Sequence, residues 1–423
     1  MRKVRQIGTK GKRAALATVP RPEAVGLASV DARVALIQAL VPLGLEKVAE
    51  ELEQEVERLA GAWYARAGGD PHLVRWGEQR GSVYLADQKL PVTVPRVRNR
   101  QTGQEVRLET YARLQQPRGL DQGLVHRILG GISTREYARC AEAIPEAFGL
   151  SASTVSRRFK RATTRTLQHL VGRRLEAYDI LVVLLDGKTF AEDEMVIAVG
   201  VTATGEKVIL GFVQTATENR RVCAAFLREL MDRGLRLEQG LLVITDGAKG
   251  LQAAVREAFG DAAVLQRCQW HKRENVVSYL PKRIQVTFRR KLQAAYGEPT
   301  YAKAKAALDR LGTELALLNA SAAASLAEGL EETLTLHRLG VIAALGISLK
   351  TTNIVESINA RLGSRTDKID HWRNSDQKQR WLATALIDLE PRLRRIRGHR
   401  ALATLRAALE AHLKPATKTA TAA

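Results

Sequence analysis

The feature that most constrains this fold is a run of six apolar residues, 180–185, that stops at Asp186 and Gly187. An apolar run of this length between polar residues is typical of a central strand covered on both faces. Because Gly187 lets the backbone turn away, we expect the Asp186 carboxylate to lie at an open edge of a sheet, available for metal or proton chemistry. Taken alone, an Asp-Gly pair after a strand more often caps a turn. The remaining chain decides between these interpretations.

A second predicted buried strand, 241–245, is also followed by an Asp-Gly pair, at Asp246. The chain between the two runs predicts two strands joined by a hairpin and then a crossover helix, at residues 194–201, 207–214 and 221–233. Neighbouring parallel strands end at the same edge of a sheet, so Asp186 and Asp246 are predicted to lie side by side. Two unrelated turn aspartates are the alternative.

A glutamate on a predicted helix is the third candidate. Either Thr351 or Thr352 is a suitable cap for the helix that carries Glu356. The positions of this helix that face the core are apolar: Ile354, Val355, Ile358 and Leu362. Glu356 then lies beside buried residues, within reach of a neighbouring metal site. Taken alone, it would be interpreted as a solvated helix residue.

Together, the three acids predict an all-oxygen metal site. Asp186, Asp246 and Glu356 suit hard divalent cations, and we expect two Mg²⁺ ions, with Mn²⁺ able to substitute. Two such ions about 4 Å apart activate a water or a 3′-hydroxyl on one side of a phosphodiester and stabilise the leaving oxygen on the other. The sequence thus predicts metal-dependent phosphoryl transfer, with these three acids both catalytic and metal-binding.

The charge of the chain indicates the substrate. Its 423 residues contain 66 Lys and Arg against 45 Asp and Glu, a net charge of +21 and a pI near 10.2, which predicts a polyanionic partner, first of all nucleic acid. An acidic membrane surface is the rival, but neither an apolar run long enough to span a bilayer nor a signal peptide is apparent, so we expect a soluble, intracellular protein.

Three scattered cysteines, Cys140, Cys223 and Cys268, fit a reducing compartment.

A helix-turn-helix is predicted within residues 121–175. Ser133 and Glu136 form a capping box for a first helix, and a short turn at 149–151 precedes a second, basic helix. A plain helical hairpin is the alternative. The predicted contacts with the DNA groove and its phosphates are Ser153, Thr154, Arg157, Arg158, Lys160 and Arg161.

Two segments near the N-terminus are distinguished by charge. Residues 1–21 contain seven Lys or Arg and no acid, which predicts either an arm that tracks phosphates or a disordered terminus. From Arg33 the pattern is helical, breaks at Pro42 and Gly44, and resumes with an acidic face. We expect this helix to pack in its own core, with self-association as the sharper hypothesis.

Residues 81–99 predict a short β-ribbon, since Pro91 and Pro95 confine a strand to an edge. The end of the ribbon is basic and could lie against DNA or be a plain connector: Arg96, Arg98 and Arg100. After Leu413 the chain is rich in Ala and Thr, which predicts a disordered tail.

Cys268 and His271 have the spacing of half a zinc site. A second pair is missing nearby, because the nearest candidates in sequence are Cys223 and His337, so a tetrahedral zinc site is not supported. We expect Cys268 and His271 either to have a structural role or to support the metal ligands without binding the metal themselves, with His271 close to the acids. Lys272 and Arg273 are predicted to contact phosphate.

Several motifs in order resemble the Mutator-like family of bacterial insertion-sequence transposases. The likeness extends from about residue 35 to about residue 385. The segments that carry it are 94–99, 185–188, 244–251, 266–275, 333–337 and 351–357. The Cys268 and His271 spacing also matches the family pattern.

The resemblance implies an α/β RNase H-like catalytic core with an all-helical insertion, in which Asp186, Asp246 and Glu356 are the DDE triad. An N-terminal, mainly helical DNA-binding region with the helix-turn-helix completes the predicted fold. The predicted N-terminal half consists of a basic flexible arm (1–30), a helical and β-ribbon region (31–120) and the helix-turn-helix domain (121–175). The first part of the core (176–270), the helical insertion (271–348) and the last part of the core (349–400) follow. A C-terminal helix with a disordered tail (401–423) ends the predicted organisation.

The sequence therefore predicts a DNA transposase that binds terminal inverted repeats, nicks DNA to free a 3′-hydroxyl and joins it to target DNA. We expect a homodimer or larger homo-oligomer acting on double-stranded DNA in the bacterial cytoplasm, at the nucleoid, without a membrane partner. A circular element intermediate is implied by the resemblance alone. The rivals are a stand-alone RNase H-like nuclease and a non-catalytic DNA-binding regulator derived from a transposase.

Overall fold

A computed structural model describes residues 30–63, 69–85, 88–115, 120–135, 151–190, 192–215, 219–367, 369 and 371–413. The chain divides into two compact units, one of residues 1–128 with 132–157 and the other of residues 129–131 with 158–423. The predicted basic arm before residue 30, the tail after Leu413 and most of the first helix of the predicted helix-turn-helix lie outside the described residues. Among the described residues, no helix is both long and apolar enough to cross a bilayer.

The N-terminal unit packs one long helix on a β-ribbon. Helix α1 (Val30–Ala60) carries Val48, Leu52 and Val56 into a core shared with strands β1 (Leu73–Leu85) and β2 (Gln88–Asn99). The predicted ribbon is confirmed and begins earlier than expected, since Leu73 pairs with Asn99.

The predicted break in α1 is wrong, because the helix continues through Pro42 and Gly44. A proline removes one amide donor from a helix, and flanking residues of high helix propensity can continue the helix past it. The helix packs in the core of its own unit through its apolar face, as expected, while Glu46, Glu50 and Glu57 are exposed. Buried Glu55 accepts hydrogen bonds from the backbone amides of Glu109 and Thr110, which open helix α2 (Glu109–Leu114).

The basic end of the ribbon is engaged in contacts within the chain. Arg96 makes a bidentate ion pair with Glu105 in the short strand β3 (Glu105–Val106), at 2.8 and 2.7 Å. Arg98 donates to the carbonyl of Gly103 at 2.6 Å and stacks over Trp76 at 4.6 Å. A role of these arginines in DNA contact stays a prediction.

In the described part of the chain that follows, there are two helices before the sheet, α3 (Leu120–Leu129) and α4 (Ala152–Val171). Helix α4 begins after Ser151, whose hydroxyl accepts from the amide of Thr154 at 3.3 Å. It has a buried face at Val155 and Phe159, with Thr163 four residues further on. The ring of Phe159 packs 4.9 Å from that of Trp381, so this part of α4 belongs to the core of the C-terminal unit.

The C-terminal unit is built on a mixed sheet, which among the described residues has five strands in the order β6-β5-β4-β7-β8. The first three are antiparallel, and β4, β7 and β8 are parallel. This is the predicted meander followed by a crossover. The strands are β4 (Ile180–Phe190), β5 (Asp193–Thr202), β6 (Lys207–Thr215), β7 (Leu241–Thr245) and β8 (Ala263–Arg267).

Helices cover this sheet. Helices α5 (Arg220–Asp232) and α6 (Lys249–Phe259) cover one face of the sheet and share a core with Val183 and Leu185 of β4. Because side chains alternate along a strand, Leu184 and Asp186 face the opposite side.

The chain between β8 and the helix of Glu356 is helical, as predicted, with its own apolar core. Its elements are α7 (Gln269–Ser278), α8 (Lys282–Tyr296), α9 (Tyr301–Leu318), α10 (Ala320–Ala327), α11 (Leu330–Thr333), α12 (Thr335–Arg338) and α13 (Ile342–Leu349). Buried Gln266 of β8 attaches this segment to the sheet, since its side chain donates to the Thr333 carbonyl at 3.0 Å and accepts from the Leu336 amide at 2.9 Å.

Three helices complete the unit: α14 (Asn353–Thr366), α15 (Ser375–Leu389) and α16 (Leu402–Leu413). The apolar positions predicted for the Glu356 helix are confirmed at Val355, Ile358 and Leu362, which are buried, while Ile354 is half-buried.

Candidate active site

The two aspartates come at corresponding places along neighbouring parallel strands. The register between β4 and β7 pairs Leu184 with Ile244, the last pair of the ladder. Two residues further on come Asp186, still inside β4, and Asp246, which follows the last residue of β7. Because adjacent strands lie about 4.8 Å apart, this spacing brings the two residues near each other. Asp186 is only 6% exposed. The predicted arrangement of the strands is confirmed.

One detail of the prediction is wrong, because the chain does not turn at Gly187. Strand β4 continues to Phe190, and Asp186 and Gly187 pair with Ile197 and Val196 of β5. Pairing with β5 satisfies the backbone beyond the point where β7 stops, so a turn is not required. Asp186 therefore lies inside a strand, beside the edge left open where β7 ends.

Asp246 follows β7 in a tight turn. Its Oδ1 accepts a hydrogen bond from the amide of Ala248 at 3.0 Å. Gly247 has a φ of +102°, and a Cβ at this position would overlap the guanidinium of Arg267. Glycine is needed here both for the left-handed backbone and for this close approach.

Glu356 lies in the first turn of α14, on the side of β4 from which Asp186 projects. Lys188, two residues after Asp186 and therefore on the same face, donates from Nζ to the carbonyl of Asn359 at 2.8 Å. The carboxylate of Glu356 accepts a hydrogen bond from the hydroxyl of Thr352 at 3.0 Å, and its side chain is 38% exposed.

His271 is influenced by all three acids, by proximity to Glu356 and by the charges of Asp186 and Asp246. Its Nε2 lies 4.0 Å from Glu356 Oε1. Burial by itself lowers the pKa of His271, but a hydrogen bond and negative charge from Cys268 and the charges of Asp186 and Asp246 raise that pKa to about 9. The imidazole is therefore protonated at neutral pH and offsets part of the negative charge of the acids.

Cys268 is buried at the start of α7, and its amide donates to the carbonyl of Thr245 at 2.8 Å. Burial raises the pKa of its thiol, but hydrogen bonds from the side chain and backbone of His271 bring the pKa below its usual value. Cys268 and His271 thus act together next to the acids, in line with the position expected for His271.

Within the described residues, no three His, Cys, Asp or Glu side chains are close enough to enclose a metal ion as they stand. The chemistry of the donor set nevertheless fits a hard divalent cation, because three carboxylates from β4, β7 and α14 project to one region around His271. Binding of such an ion would draw the carboxylates closer together.

Lys272 and Arg273, predicted to contact phosphate, are engaged within the protein. Lys272 is fully buried, with its Nζ 3.5 Å from Glu328 Oε2, and burial with the charge of Arg267 lowers its pKa to about 8. Arg273 pairs with Glu274 at 3.0 Å. A phosphate could reach Lys272 only if Glu328 moved, and the contact with phosphate stays a prediction for both residues.

The residues predicted to contact DNA through the helix-turn-helix lie on α4. Ser153, Arg157, Lys160 and Arg161 are exposed, whereas Thr154 and Arg158 are half-buried. The structure therefore has a polar, basic face on α4 opposite its buried face. Whether α4 is the second helix of a helix-turn-helix stays a prediction, because residues 136–150 are outside the described part of the chain.

Three residues at the site were missed by the sequence analysis. Lys188 could have been found from the two-residue repeat of a strand, and Thr352 from its position four residues before Glu356 on a helix. Nothing local identifies Arg267, whose contact with Gly247 joins the ends of two strands.

A cavity of about 620 Å³ lies at the opposite edge of the sheet, lined by Asp179, Ile180, Arg236 and Gly240. It is remote from the acids, so cavity size does not identify the candidate site here.

Comparison with known proteins identifies the family to which the chain is similar. The model of a family described as "Transposase, Mutator family" matches residues 29–394. The transposase for insertion sequence element IS256 in transposon Tn4001 from Staphylococcus aureus is 27% identical over 314 residues, covering 71% of this chain and 77% of that protein. The transposase for insertion sequence element IS6120 from Mycolicibacterium smegmatis is 30% identical over 246 residues, covering 56% and 74%.

Proposed function

Because the chain belongs to the Mutator family of transposases, we propose that it is a DDE transposase that nicks the ends of an insertion sequence and joins the freed 3′-hydroxyl to target DNA. The observation that carries the proposal is the register that brings Asp186 near Asp246, with Glu356 on the same face beside His271. Three carboxylates in one region of a protein with a net charge of +21 suit metal-dependent chemistry on a polyanion.

The C-terminal unit is proposed to be an RNase H-like catalytic core with a helical insertion. Support comes from three antiparallel strands followed by two parallel ones, with the first acid on the central strand and the second at the end of its parallel neighbour. The helical segment from α7 to α13 then lies between the second acid and the third.

Asp186, Asp246 and Glu356 would hold the two Mg²⁺ ions, or Mn²⁺ in their place. The ions, when bound, activate the attacking oxygen and stabilise the leaving oxygen of the phosphodiester. The chain contributes the placement of the carboxylates: β4 and β7 fix two of them, and Lys188 fixes the helix that carries the third. The protonated ring of His271 reduces repulsion between the carboxylates and the DNA backbone.

DNA binding is proposed to involve the exposed basic face of α4, with Arg157, Lys160 and Arg161 toward the duplex. The substrate would be the terminal inverted repeats and target DNA in the bacterial nucleoid, and two ends would be held by a homodimer or larger assembly. A single assembly that holds both ends is the simplest means of coupling their cleavage and joining.

The test uses purified protein, Mg²⁺ and duplexes that carry the sequences bracketing its gene. We expect wild type to nick and join these ends. Asp186→Asn, Asp246→Asn and Glu356→Gln should each reduce joining by about 10³-fold or more while still binding DNA. Asp261→Asn, at an exposed position before β8, is the matched control and should retain activity.

The rival functions give other outcomes. Cleavage without joining would support a nuclease, and binding without cleavage would support a regulator. Full joining by Asp186→Asn would contradict the assignment of the three acids.

A further inference from the structure

Thr352 lies at the centre of a buried chain of contacts between α7 and α14. Its side chain is fully buried. Its hydroxyl lies 3.0 Å from Glu356 Oε1, 3.4 Å from His271 Nδ1 and 3.7 Å from Cys268 Sγ. Although Thr352 precedes the first residue of α14, its side chain does not bond the helix backbone, and Thr351 accepts the amide of Asn353 instead.

A hydroxyl has one proton to donate, which restricts how these contacts are made. The nearest acceptor is the Glu356 carboxylate, so the proton of Thr352 is directed there. The oxygen of Thr352 then accepts from His271 Nδ1–H, and the other ring nitrogen, Nε2, is left facing Glu356 at 4.0 Å. The Oε1 atom of Glu356 therefore accepts the hydroxyl of Thr352 and also lies near the ring of His271, which the same hydroxyl contacts.

Glu356 depends on such contacts more than the aspartates do. Asp186 is held inside a strand and Asp246 in a turn closed by Ala248. Glu356 has a longer, partly exposed side chain, on a helix that is separated from β7 in sequence by the whole helical segment. More rotamers must be restricted to fix its carboxylate.

The residues around Cys268 connect the elements that carry the second and third acids. The amide of Cys268 donates to Thr245, the residue before Asp246, at 2.8 Å. The next amide, that of Gln269, donates to the carbonyl of Lys350, two residues before Thr352, at 2.9 Å. The start of α7 is thus bonded to both the end of β7 and the approach to α14.

We propose that Thr352 is a positioning residue for Glu356, and that the Cys-x-x-His spacing of Cys268 and His271 serves to hold Thr352 in place. This inference rests on the proposed function, in which Glu356 is a metal ligand. Through Thr352, Cys268 and His271 would then align Glu356 on α14 with Asp186 and Asp246.

The test compares two substitutions at one position. Thr352→Val keeps the shape but loses the hydroxyl, whereas Thr352→Ser keeps the hydroxyl and loses a methyl group. We expect Thr352→Val to lower kcat for joining by about tenfold, the value of one hydrogen bond, with KM for DNA unchanged. Thr352→Ser should stay within about threefold of wild type.

A second readout does not depend on activity. The rise in Tm that Mn²⁺ produces should be present in wild type and Thr352→Ser and reduced in Thr352→Val, because a mobile Glu356 binds the ion less well. Cys268→Ala, which leaves Glu356 and Thr352 intact, should also reduce the Mn²⁺-dependent rise in Tm, but to a smaller extent. This variant replaces Thr352→Val in the test if Thr352→Val does not fold.

Two results would overturn the positioning role: equal losses in the valine and serine variants, or a valine variant with wild-type kcat and Mn²⁺ response. The failure of the proposed function looks different, since wild type itself would then neither nick nor join DNA ends. An active wild type with an unaffected valine variant rejects only the inference about Thr352.

Discussion

At the scale of single residues, the turn after β7 shows how a glycine can control an acid. Gly247 adopts a left-handed backbone and leaves room for the guanidinium of Arg267, which is only 5% exposed. The same turn presents Asp246. The identity of residue 247 is therefore linked to both stability and the position of the acid.

Gly247→Ala is expected to lower the free energy of unfolding by about 3 kcal/mol or more, since it adds a steric overlap to the cost of the backbone conformation. Joining activity should fall as Asp246 is displaced. Gly260→Ala is the control, because Gly260 also has a positive φ but nothing lies within 4 Å of its Cβ position. Its cost by urea denaturation should be that of the positive-φ backbone alone, about 1 to 2 kcal/mol, and equal costs for the two variants would contradict the role of Arg267.

A second residue-scale prediction concerns Lys272, whose pKa is lowered from 10.5 to about 8 by burial and by the charge of Arg267. Below pH 8 the lysine is protonated in both the folded and the unfolded protein, so its burial cost is present in full. Between pH 8 and 10.5 the folded protein loses the proton first, and stability due to this residue rises with pH. Relative to Lys272→Met, wild type should therefore gain roughly 2 to 3 kcal/mol across this range in chemical denaturation.

Lys249→Met provides the comparison, because Lys249 is 87% exposed and contacts the same Glu328. It removes an ion pair with Glu328 at a side chain that is hydrated and not buried, and so separates loss of that ion pair from loss of a buried ammonium. A flat difference for Lys272→Met would mean that its ammonium is not buried as described.

At the scale of elements, the placement of α14 on β4 decides where the third acid lies. Lys188 bonds the carbonyl of Asn359 in that helix, and burial lowers the pKa of its ammonium group. Lys207, which is on β6 and not on β4, makes a similar bond to the carbonyl of Arg394. The two lysines allow the effect of losing a bond to be separated from the effect of moving α14.

Lys188→Met and Lys207→Met are each expected to cost about 1 to 2 kcal/mol of unfolding free energy, the usual value of a charge-assisted hydrogen bond. Only Lys188→Met should also reduce joining, by about tenfold, because α14 loses its attachment to the strand of Asp186. Unfolding curves and single-turnover joining rates measure the two effects. Equal joining by both variants would show that α14 is positioned by other contacts.

At the scale of the whole molecule, the net charge of +21 leads us to expect that the proposed association with DNA depends on salt. Counterion release makes affinity fall steeply with salt, by roughly 10³-fold between 50 and 200 mM for a protein making six or more phosphate contacts. Arg157→Ala and Arg161→Ala on the exposed face of α4 should each reduce the slope of log affinity against log salt by about one. Fluorescence anisotropy over a salt series measures this slope.

Arg58→Ala is the control for charge alone, because Arg58 is exposed on the acidic helix α1. It should leave the slope unchanged. A reduction as large as that of the α4 variants would indicate that binding depends only on total charge and not on α4.

The sequence by itself determined the parts of this protein that depend on neighbouring residues. Apolar runs and Asp-Gly pairs located the strand that contains Asp186 and the strand that Asp246 follows, and the register confirms that these two strands are parallel neighbours. Apolar spacing likewise identified the buried face of the Glu356 helix. Periodicity and turn preferences are local, so they can be read without knowing the fold.

Only the tertiary structure decided the rest, because it depends on partners distant in sequence. Pairing with β5 extends β4 past Gly187, where the local pattern predicts a turn. Burial against Arg267 and Glu328 removes Lys272 from solvent. The position of His271 among three acids on three elements follows from how α7 and α14 pack, and no spacing in the chain encodes it. Long-range packing, with its burial and charge, sets these features.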